Sequence, residues 1–497
     1  MHCPLSKRDL LCVTILGLLP MAANAANDGS AGLEARIQQL EKALQTMQQQ
    51  RAEQDKQVEL LTKELVAIGN QVSQSKITKF EEKGSSKGYP VYGAFNDGLV
   101  FEDGTGNWKL QLNGRIQVDY RTYQPDEWKN DTFSIRRARF GGTFLFLQDF
   151  ALRVEGEYAN DSAGARGTTA LTYGYLDFNR WSAAKIRVGQ FKPFFGLERP
   201  QSTNFSDFTE LSLATNNGAI FTSTYDRGVM VFGDPLPWLN YNAYIVNGTG
   251  QNNDDVRDSK DIGARVNANF ASFTDKKDLV LHVGASASTG SIGFSTAAGN
   301  NIAQSTEAHG SQFFNVGNIL NTRTTDRNRL GFESAVAYGS LKAQAEYINA
   351  NFAGRRGAAA PGTSFDNDIK VWYADLNWLV TGESYADAYK SGVFSRLRPK
   401  NNFDSKDGWG AFELGLRYSK FDASDFDSIL LKLPDGATAA TFTSEANAWT
   451  AGAKWILNPN ARLVLNYIQT EYDDDIRING KIDNTEKAVV LRAQYDF

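Results

Sequence analysis

Residues 109–121 read KLQLNGRIQVDYR, and the fold turns on them. Leu110, Leu112, Gly114, Ile116, Val118 and Tyr120 share one parity, while Lys109, Gln111, Asn113, Arg115, Gln117, Asp119 and Arg121 share the other. A period of two describes a β-strand with one apolar and one polar face. The pattern returns in FALRVEGEY (150–158), AKIRVGQ (184–190), IGARVNANF (262–270) and SLKAQAEY (340–347). It continues in FELGLRYS (412–419), AWTAGAKW (448–455), ARLVLNY (461–467) and AVVLRAQYDF (488–497). About sixteen such segments, each of roughly ten residues and divided by polar turns, are what a transmembrane barrel requires.

A soluble sandwich alternates as well, but three features favour the barrel. Tyr, Trp and Phe gather near segment ends on the apolar face, as interface girdles do. Tight turns such as NPNA (458–461) alternate with long polar connections such as 289–327, which predicts one rim of short turns. The chain also stops on an alternating strand whose terminal Phe497 resembles the assembly signal of bacterial outer-membrane proteins.

Upstream of this region the period changes. Leu33, Ile37, Leu40, Leu44, Met47, Val58, Leu61, Leu65, Ile68 and Val72 follow alternating steps of four and three, the heptad seam of an α-helical coiled coil. EEKGSSKGYP (81–90) reads as a flexible linker. Before the coil, Lys7 and Arg8 precede the apolar run LLCVTILGLLPMAA, and Ala23-Asn24-Ala25 suits cleavage after Ala25. The expected organisation is therefore a signal peptide (1–25), a periplasmic coiled coil (26–80), a linker (81–107) and an all-β outer-membrane barrel of about sixteen antiparallel strands (108–497). Both cysteines, Cys3 and Cys12, lie in the signal, so no disulfide or thiolate metal site is expected in the mature chain. No cofactor is expected either. The mild net charge of −5 does not suggest nucleic acid as a partner.

Charge at mid-membrane on a lipid-facing position costs about 2–4 kcal/mol per Lys or Arg, so the charged alternates must face the lumen. Fifteen basic residues fall there: Lys109, Arg115, Arg121, Arg137, Arg139, Arg153, Lys185, Arg187, Arg265, Arg329, Lys342, Arg417, Lys454, Arg462 and Arg492. Seven acidic residues join them: Asp119, Glu155, Glu157, Glu333, Glu346, Glu413 and Asp496. The remaining acidic residues are expected in the loops and tail. A basic lumen focuses anions, and rings of Arg or Lys build anion pores.

The densest charge is FSIRRARFGG (133–142). Phe133 and Ile135 are apolar before the doublet, and Ala138 and Phe140 after it, so Arg136-Arg137 marks a phase change. It is either a bulge or the emergence of the strand from the bilayer. The pair either snorkels at the rim or joins Arg139 in a stack of guanidiniums along an anion path. In the stacked reading Arg137 and Arg139 stand about 6–7 Å apart along the lumen face, while the phase of Arg136 turns it toward the rim.

These pieces resemble the phosphate-selective porin family, porins O and P of Gram-negative bacteria. The resemblance extends through IRVGQFKPFFGLE (186–198), YIVNGTGQNNDDVRDSKDIGARV (244–266), LVTGESYADAYKSGVFSRLRP (379–399), GAFELGLRYSKFD (410–422) and WILNPNARLVLNYI (455–468). It implies a homotrimer of 16-stranded barrels in outer-membrane lipid, each with a pore constricted by infolded loops. In that family an arginine ladder leads anions to a central site completed by lysines near the third loop. Arg136, Arg137 and Arg139 match ladder positions and Lys192 matches the loop lysine. Here the loop continues RPQSTNFSDFTEL, with one arginine, two acids and no second lysine beside Lys192. The expected path for phosphate-like anions is lined by Arg115, Arg136, Arg137, Arg139, Arg187 and Lys192.

Two other functions compete with an anion pore. A hydrolase needs a nucleophile with a histidine base. The mature chain offers only His282 and His309, the second in the low-complexity stretch STAAGNNIAQSTEAHGSQ, read as an exposed loop. His282 and Ser286 share a strand face too far apart to pair, and no Gly-x-Ser-x-Gly elbow is present. The structural alternative is an envelope-tethering barrel whose coiled coil does the work and whose pore is general and weakly selective.

Overall fold

The computed structural model describes residues 91–497 apart from 160–168, 256–257, 293–301, 318–324, 357–361 and 431–440, together with Thr78–Lys79 and a few scattered residues between 37 and 56. The signal peptide and the heptad seam as a whole lie outside the described residues. Those described between 37 and 56 are helical and exposed. The chain divides into two compact units, 1–77 and 78–497.

The second unit is a closed antiparallel barrel of sixteen strands. The first eight are β1 (Trp108–Gln124), β2 (Thr132–Phe146), β3 (Phe150–Glu157), β4 (Ala170–Trp181), β5 (Ala184–Phe191), β6 (Asp226–Leu236), β7 (Leu239–Val246) and β8 (Asp261–Asn269). The rest are β9 (Leu279–Ile292), β10 (Thr325–Tyr338), β11 (Leu341–Arg356), β12 (Thr363–Leu379), β13 (Ala411–Asp422), β14 (Glu445–Asn458), β15 (Ala461–Ile478) and β16 (Lys481–Asp496). Each pairs with the next, and β16 returns to β1 from Lys487↔Gln124 to Asp496↔Arg115. Closure satisfies every ladder without an edge, which is the condition for a sheet to stand in lipid.

Alternation decides which side chains meet lipid. Ile116 and Val118 are 43% and 39% exposed on the outer surface, whereas Gln117 and Asp119 between and after them are fully buried inside. Leu463, Leu465 and Tyr467 are likewise exposed, and Arg462 and Asn466 buried. At the doublet the ladder slips: Gln117 pairs with Arg137 and Val118 with Ile135, leaving Arg136 as the extra residue. Phe133, Ile135 and Phe140 remain exposed on either side of it. The phase change is therefore a bulge within the strand.

The turn rims follow expectation in part: the rim of short turns also carries the nine-residue connection 270–278, and 479–480 is a two-residue turn on the opposite rim. Residues 182–183, 237–238, 339–340 and 459–460 are two-residue turns on one rim, but 380–410 on that same rim is a long insertion. It buries Tyr385, Phe394 and Leu397 against Leu197, Val280 and Ala335. Part of the expected linker is also structured. Tyr92–Phe95 and Leu99–Glu102 form a hairpin that pairs onto β1 at Leu99↔Leu112 to Glu102↔Lys109. In its turn Asp97 takes a left-handed φ of 52°, which aspartate adopts more readily than most residues, and Gly98 a φ of 148° that needs a glycine.

Closure ends on Phe497, whose N–H and C=O both bond Gly114 at 2.9 Å. Its ring covers Gly114 so closely that a Cβ there would meet ring carbons at 2.5 and 2.6 Å. Replacing Gly114 with Val is expected to lift the ring and cost about 1–3 kcal/mol. The temperature at which the barrel loses its heat-modifiable gel mobility should fall. An unchanged transition would show that Phe497 does not secure the seam.

Candidate functional site

Two connections on the long-loop side enter the lumen. The third loop (192–225) leaves β5 at Lys192, and Pro193 ends the strand. Gly196, at φ 68°, then turns the chain inward, where any Cβ would strike the Glu346 carboxylate at 2.0 Å. Glu346 accepts the N–H groups of Leu197 and Glu198 at 2.9 and 2.6 Å. The connection from β9 to β10 folds in as the hairpin Ile302–Ser305 and Gln312–Val316. Its Phe313 and Phe314 are fully buried, packing on Phe421 and Phe426 at ring distances of 5.3 and 5.7 Å.

These segments carry carboxylates to the wall arginines. Glu210 accepts from Arg121 at 2.7 Å, Arg136 at 2.8 Å, Arg492 at 2.9 Å and meets His309 Nε2 at 3.0 Å. Burial opposes its ionisation, yet Arg136, His309 and Arg492 hold its carboxyl well below the usual range. Arg417 lies between Glu198 at 3.2 Å and Glu307 at 2.5 Å, and Lys342 meets Asp207 at 2.5 Å. These acids lie in loops as expected, but the loops fold inward and bring them to the wall charges, so much of the inferred basic excess of the lumen is paired. His309 is likewise folded inward, against Glu210 and Arg136, and is no free loop residue.

Each expected path residue can now be located. Arg115 reaches Thr203 Oγ1 and Asn204 Oδ1 at 2.8 and 2.5 Å. Arg139 donates to Glu157 at 2.5 Å and to the Tyr225 hydroxyl at 2.6 Å. Arg187 forks onto Asp177 at 2.7 and 2.8 Å while lying 3.8 Å over the Tyr175 ring. Arg137 donates to Gln117 Oε1 at 2.8 Å, and Lys192 Nζ to the Gln201 carbonyl at 2.9 Å. Arg136 does not point to the rim: the bulge turns it inward onto Glu210.

Three cavities follow one another along the lumen. A vestibule of about 850 Å³ holds Arg121, Arg136, Arg137 and Arg139. A second of about 490 Å³, toward the short turns, holds Arg115, Arg153, Arg187 and Lys192. Between them a cavity of about 50 Å³ is lined by Arg137, Lys192, Arg199 and Glu210, and Arg139 and Tyr225 line all three. Among the described residues, Arg137, Lys192 and Arg199 make no ion pair with a carboxylate. Burial, with Arg199, Arg139, Arg115 and Arg137 around it, holds the Lys192 ammonium well below the usual lysine range. Arg199 was not singled out from sequence. It is the one arginine of the loop, donating to the Thr215 and Ser223 carbonyls at 2.7 and 2.8 Å. His282 and Ser286 have separate partners: His282 contacts Tyr389 and Glu333 at 2.7 and 3.0 Å, and Ser286 accepts from the Gly196 N–H at 3.0 Å.

Glu210 ties the third loop to three wall arginines, so Glu210→Gln is expected to weaken docking by about 3–5 kcal/mol, the usual cost of breaking a buried pair. Amides of 192–225 should then exchange faster with deuterium. For a depressed carboxyl, the stabilisation exists above the ordinary value and is lost as pH falls through the folded value. Wild-type loop protection should therefore persist at pH 4.5 and vanish only below it. Protection unaffected by the substitution would assign the anchoring to apolar packing.

The family model described as phosphate-selective porin O and P matches residues 110–497. Porin O of Pseudomonas aeruginosa is 24% identical over 415 residues, 78% of this chain and 89% of that protein. The in-vitro folded OmpT, an outer membrane protein of Vibrio cholerae, aligns at a TM-score of 0.46 and 12% identity, covering 79% of this chain and 98% of that one. The outer membrane channel DcaP of Acinetobacter baumannii aligns at a TM-score of 0.46 and 13% identity, covering 79% and 98%. With the family model matched over essentially the whole barrel, this chain belongs to the phosphate-selective porin family, porins O and P, and is an outer-membrane porin.

Proposed function

We propose that the pore passes small anions in preference to cations and holds phosphate-like oxyanions briefly at its narrowest point. One observation carries this reading: Arg137, Lys192 and Arg199 surround the cavity of about 50 Å³ without a carboxylate of their own. Guanidinium forks match oxyanion geometry, and an ammonium adds a compact charge beside them. An entering anion raises the depressed proton affinity of Lys192, so binding and protonation reinforce one another.

In planar bilayers under a salt gradient, the zero-current potential should have the sign of anion preference. Arg137→Gln and Lys192→Gln should each reduce that preference and weaken block of chloride current by phosphate roughly tenfold, the loss of one charged hydrogen bond. Arg136→Gln should act too, because it leaves Glu210 with one counter-ion fewer at the mouth of the constriction. The preference should decline with rising pH well below the ordinary lysine value of 10.5, and Lys192→Arg should remove that decline. Cation preference in the wild type would overturn the proposal and favour the tethering alternative.

We further propose a homotrimer. Strands β3, β5 and β7 have 8 residues each and β8 has 9. At ~3.3 Å per residue and a tilt of roughly 40°, eight residues rise about 20 Å, less than the apolar band of about 25 Å. Strands β14 to β16 have 14, 18 and 16 residues. The low wall is the side that neighbouring barrels would cover, independently of any coiled coil. Deleting residues 26–80 should leave trimers intact by light scattering in mild detergent. Monomers would make the N-terminal segment the main oligomeriser.

A further inference from the structure

Behind the third loop lies a chamber of about 40 Å³ that adjoins the central path, sharing Arg199, Thr224 and Tyr225 with the constriction. Arg199, Arg327 and Arg329 line it, with Asp226, Asp261 and Phe221. The Phe221 ring carries two of these guanidiniums, Arg199 at 4.0 Å and Arg329 at 5.0 Å. Like charges on one ring repel unless an anion stands near them.

The chamber holds three cations and two carboxylates, and the carboxylates are largely engaged. Asp226 accepts the N–H groups of Arg227 and Gly250 at 2.7 and 3.3 Å. Asp261 accepts the Ser291 N–H at 3.0 Å and one Arg327 bond at 2.9 Å, and stands 4.0 Å from Arg329. Arg199 donates to the Thr215 and Ser223 carbonyls and Arg329 Nε to Ser288 Oγ at 2.8 Å, but the donors of Arg327 and Arg329 that face the chamber are under-served. Arg327 Nη1 and Arg329 Nη1 share the Ile220 carbonyl at 3.3 and 3.4 Å, close to the limit of a hydrogen bond. Arg327, 4% exposed, has an Nε without an acceptor among the described residues. Burial, with Arg329 and Arg327 close by, pushes Arg199 down to about 9.

We propose that this chamber is a structural binding site for one halide-sized monovalent anion, clamping the end of the third loop to β10. The net surplus of one positive charge suits a monovalent ion and not a phosphate dianion. The volume, about 40 Å³, is on the order of one water-sized occupant's ~30 Å³ share of the liquid. The ion held here is structural and distinct from those that pass along the central path. Because Arg199 lines both cavities, chamber occupancy also sets how much of that charge reaches the constriction.

Crystals of the full-length protein grown or soaked in bromide, with data collected at the bromine absorption edge, test the site directly. An anomalous peak is expected within hydrogen-bond distance of Arg327 Nε. It should be absent in Arg327→Gln and stronger in Asp261→Asn, which keeps the Oδ1 acceptor but removes the competing charge. In solution, the apparent Tm should rise with chloride but not with gluconate at equal ionic strength. Arg329→Gln should flatten that dependence and Asp261→Asn should shift it to lower chloride. Opposite shifts in two variants of one chamber are not produced by general damage to folding. The proposal is overturned if no peak appears there, if exposed arginines carry peaks of equal height, or if chloride and gluconate act alike on the wild type.

Discussion

A charge that faces hydrocarbon is expensive, and this constraint organises the rest of the barrel. It sends the charged alternates of the strands into the lumen, and there it creates a second demand. Guanidiniums removed from bulk water are tolerated when a carboxylate or a set of carbonyls meets them. The wall supplies some partners itself, as where Asp119 receives Arg492 at 2.7 Å and Asp177 receives Arg187. The rest arrive on infolded segments: Glu198, Asp207 and Glu210 from the third loop, and Glu307 from the hairpin after β9. Loop infolding and lumen charge are two sides of one balance.

That balance is left incomplete at the constriction, and the residue types there differ from those around them. Arg139 and Arg187 are paired and also lie against Tyr225 and Tyr175, so they present rigid, partly neutralised surfaces. Arg137, Lys192 and Arg199 rest on neutral oxygens from Gln117, Gln201, Thr215 and Ser223. A neutral acceptor orients a cation without cancelling its field. Unpaired charge in a narrow, low-dielectric space acts far more strongly than the same charge in an open vestibule.

How much of this was legible follows from distance along the chain. Strand phase is a property of neighbours, so the lipid and lumen faces could be read directly, as could Lys192 from the Pro193 and Gly196 that follow it. The Asp97-Gly98 turn is a local signal too, lying within the expected linker. Glu210, by contrast, meets Arg136 across 74 positions and Arg492 across 282. No pattern within a strand encodes such a partner. The stretch around His309 and Glu307 looks like an exposed loop by composition, because its polar residues find partners only after the hairpin has folded in. The insertion at 380–410 hides its three buried anchors among glycines and serines for a similar reason.

The arginine doublet shows why local phase alone was insufficient. In a regular strand, adjacent residues face opposite sides, so one of Arg136 and Arg137 would stand in lipid. The bulge adds one residue to β2 against β1, and both side chains then enter the lumen while Ile135 and Phe140 keep their outward positions. The neighbours then divide two tasks. Arg136 lies on Glu210 and helps hold the third loop in place. Among the described residues, Arg137 meets only the amide oxygen of Gln117 and keeps its charge for the constriction. A single inward arginine could do one of these things, since the carboxylate that anchors the loop also neutralises its partner. Two consecutive arginines at a bulge let the chain position the loop and leave a full charge beside it.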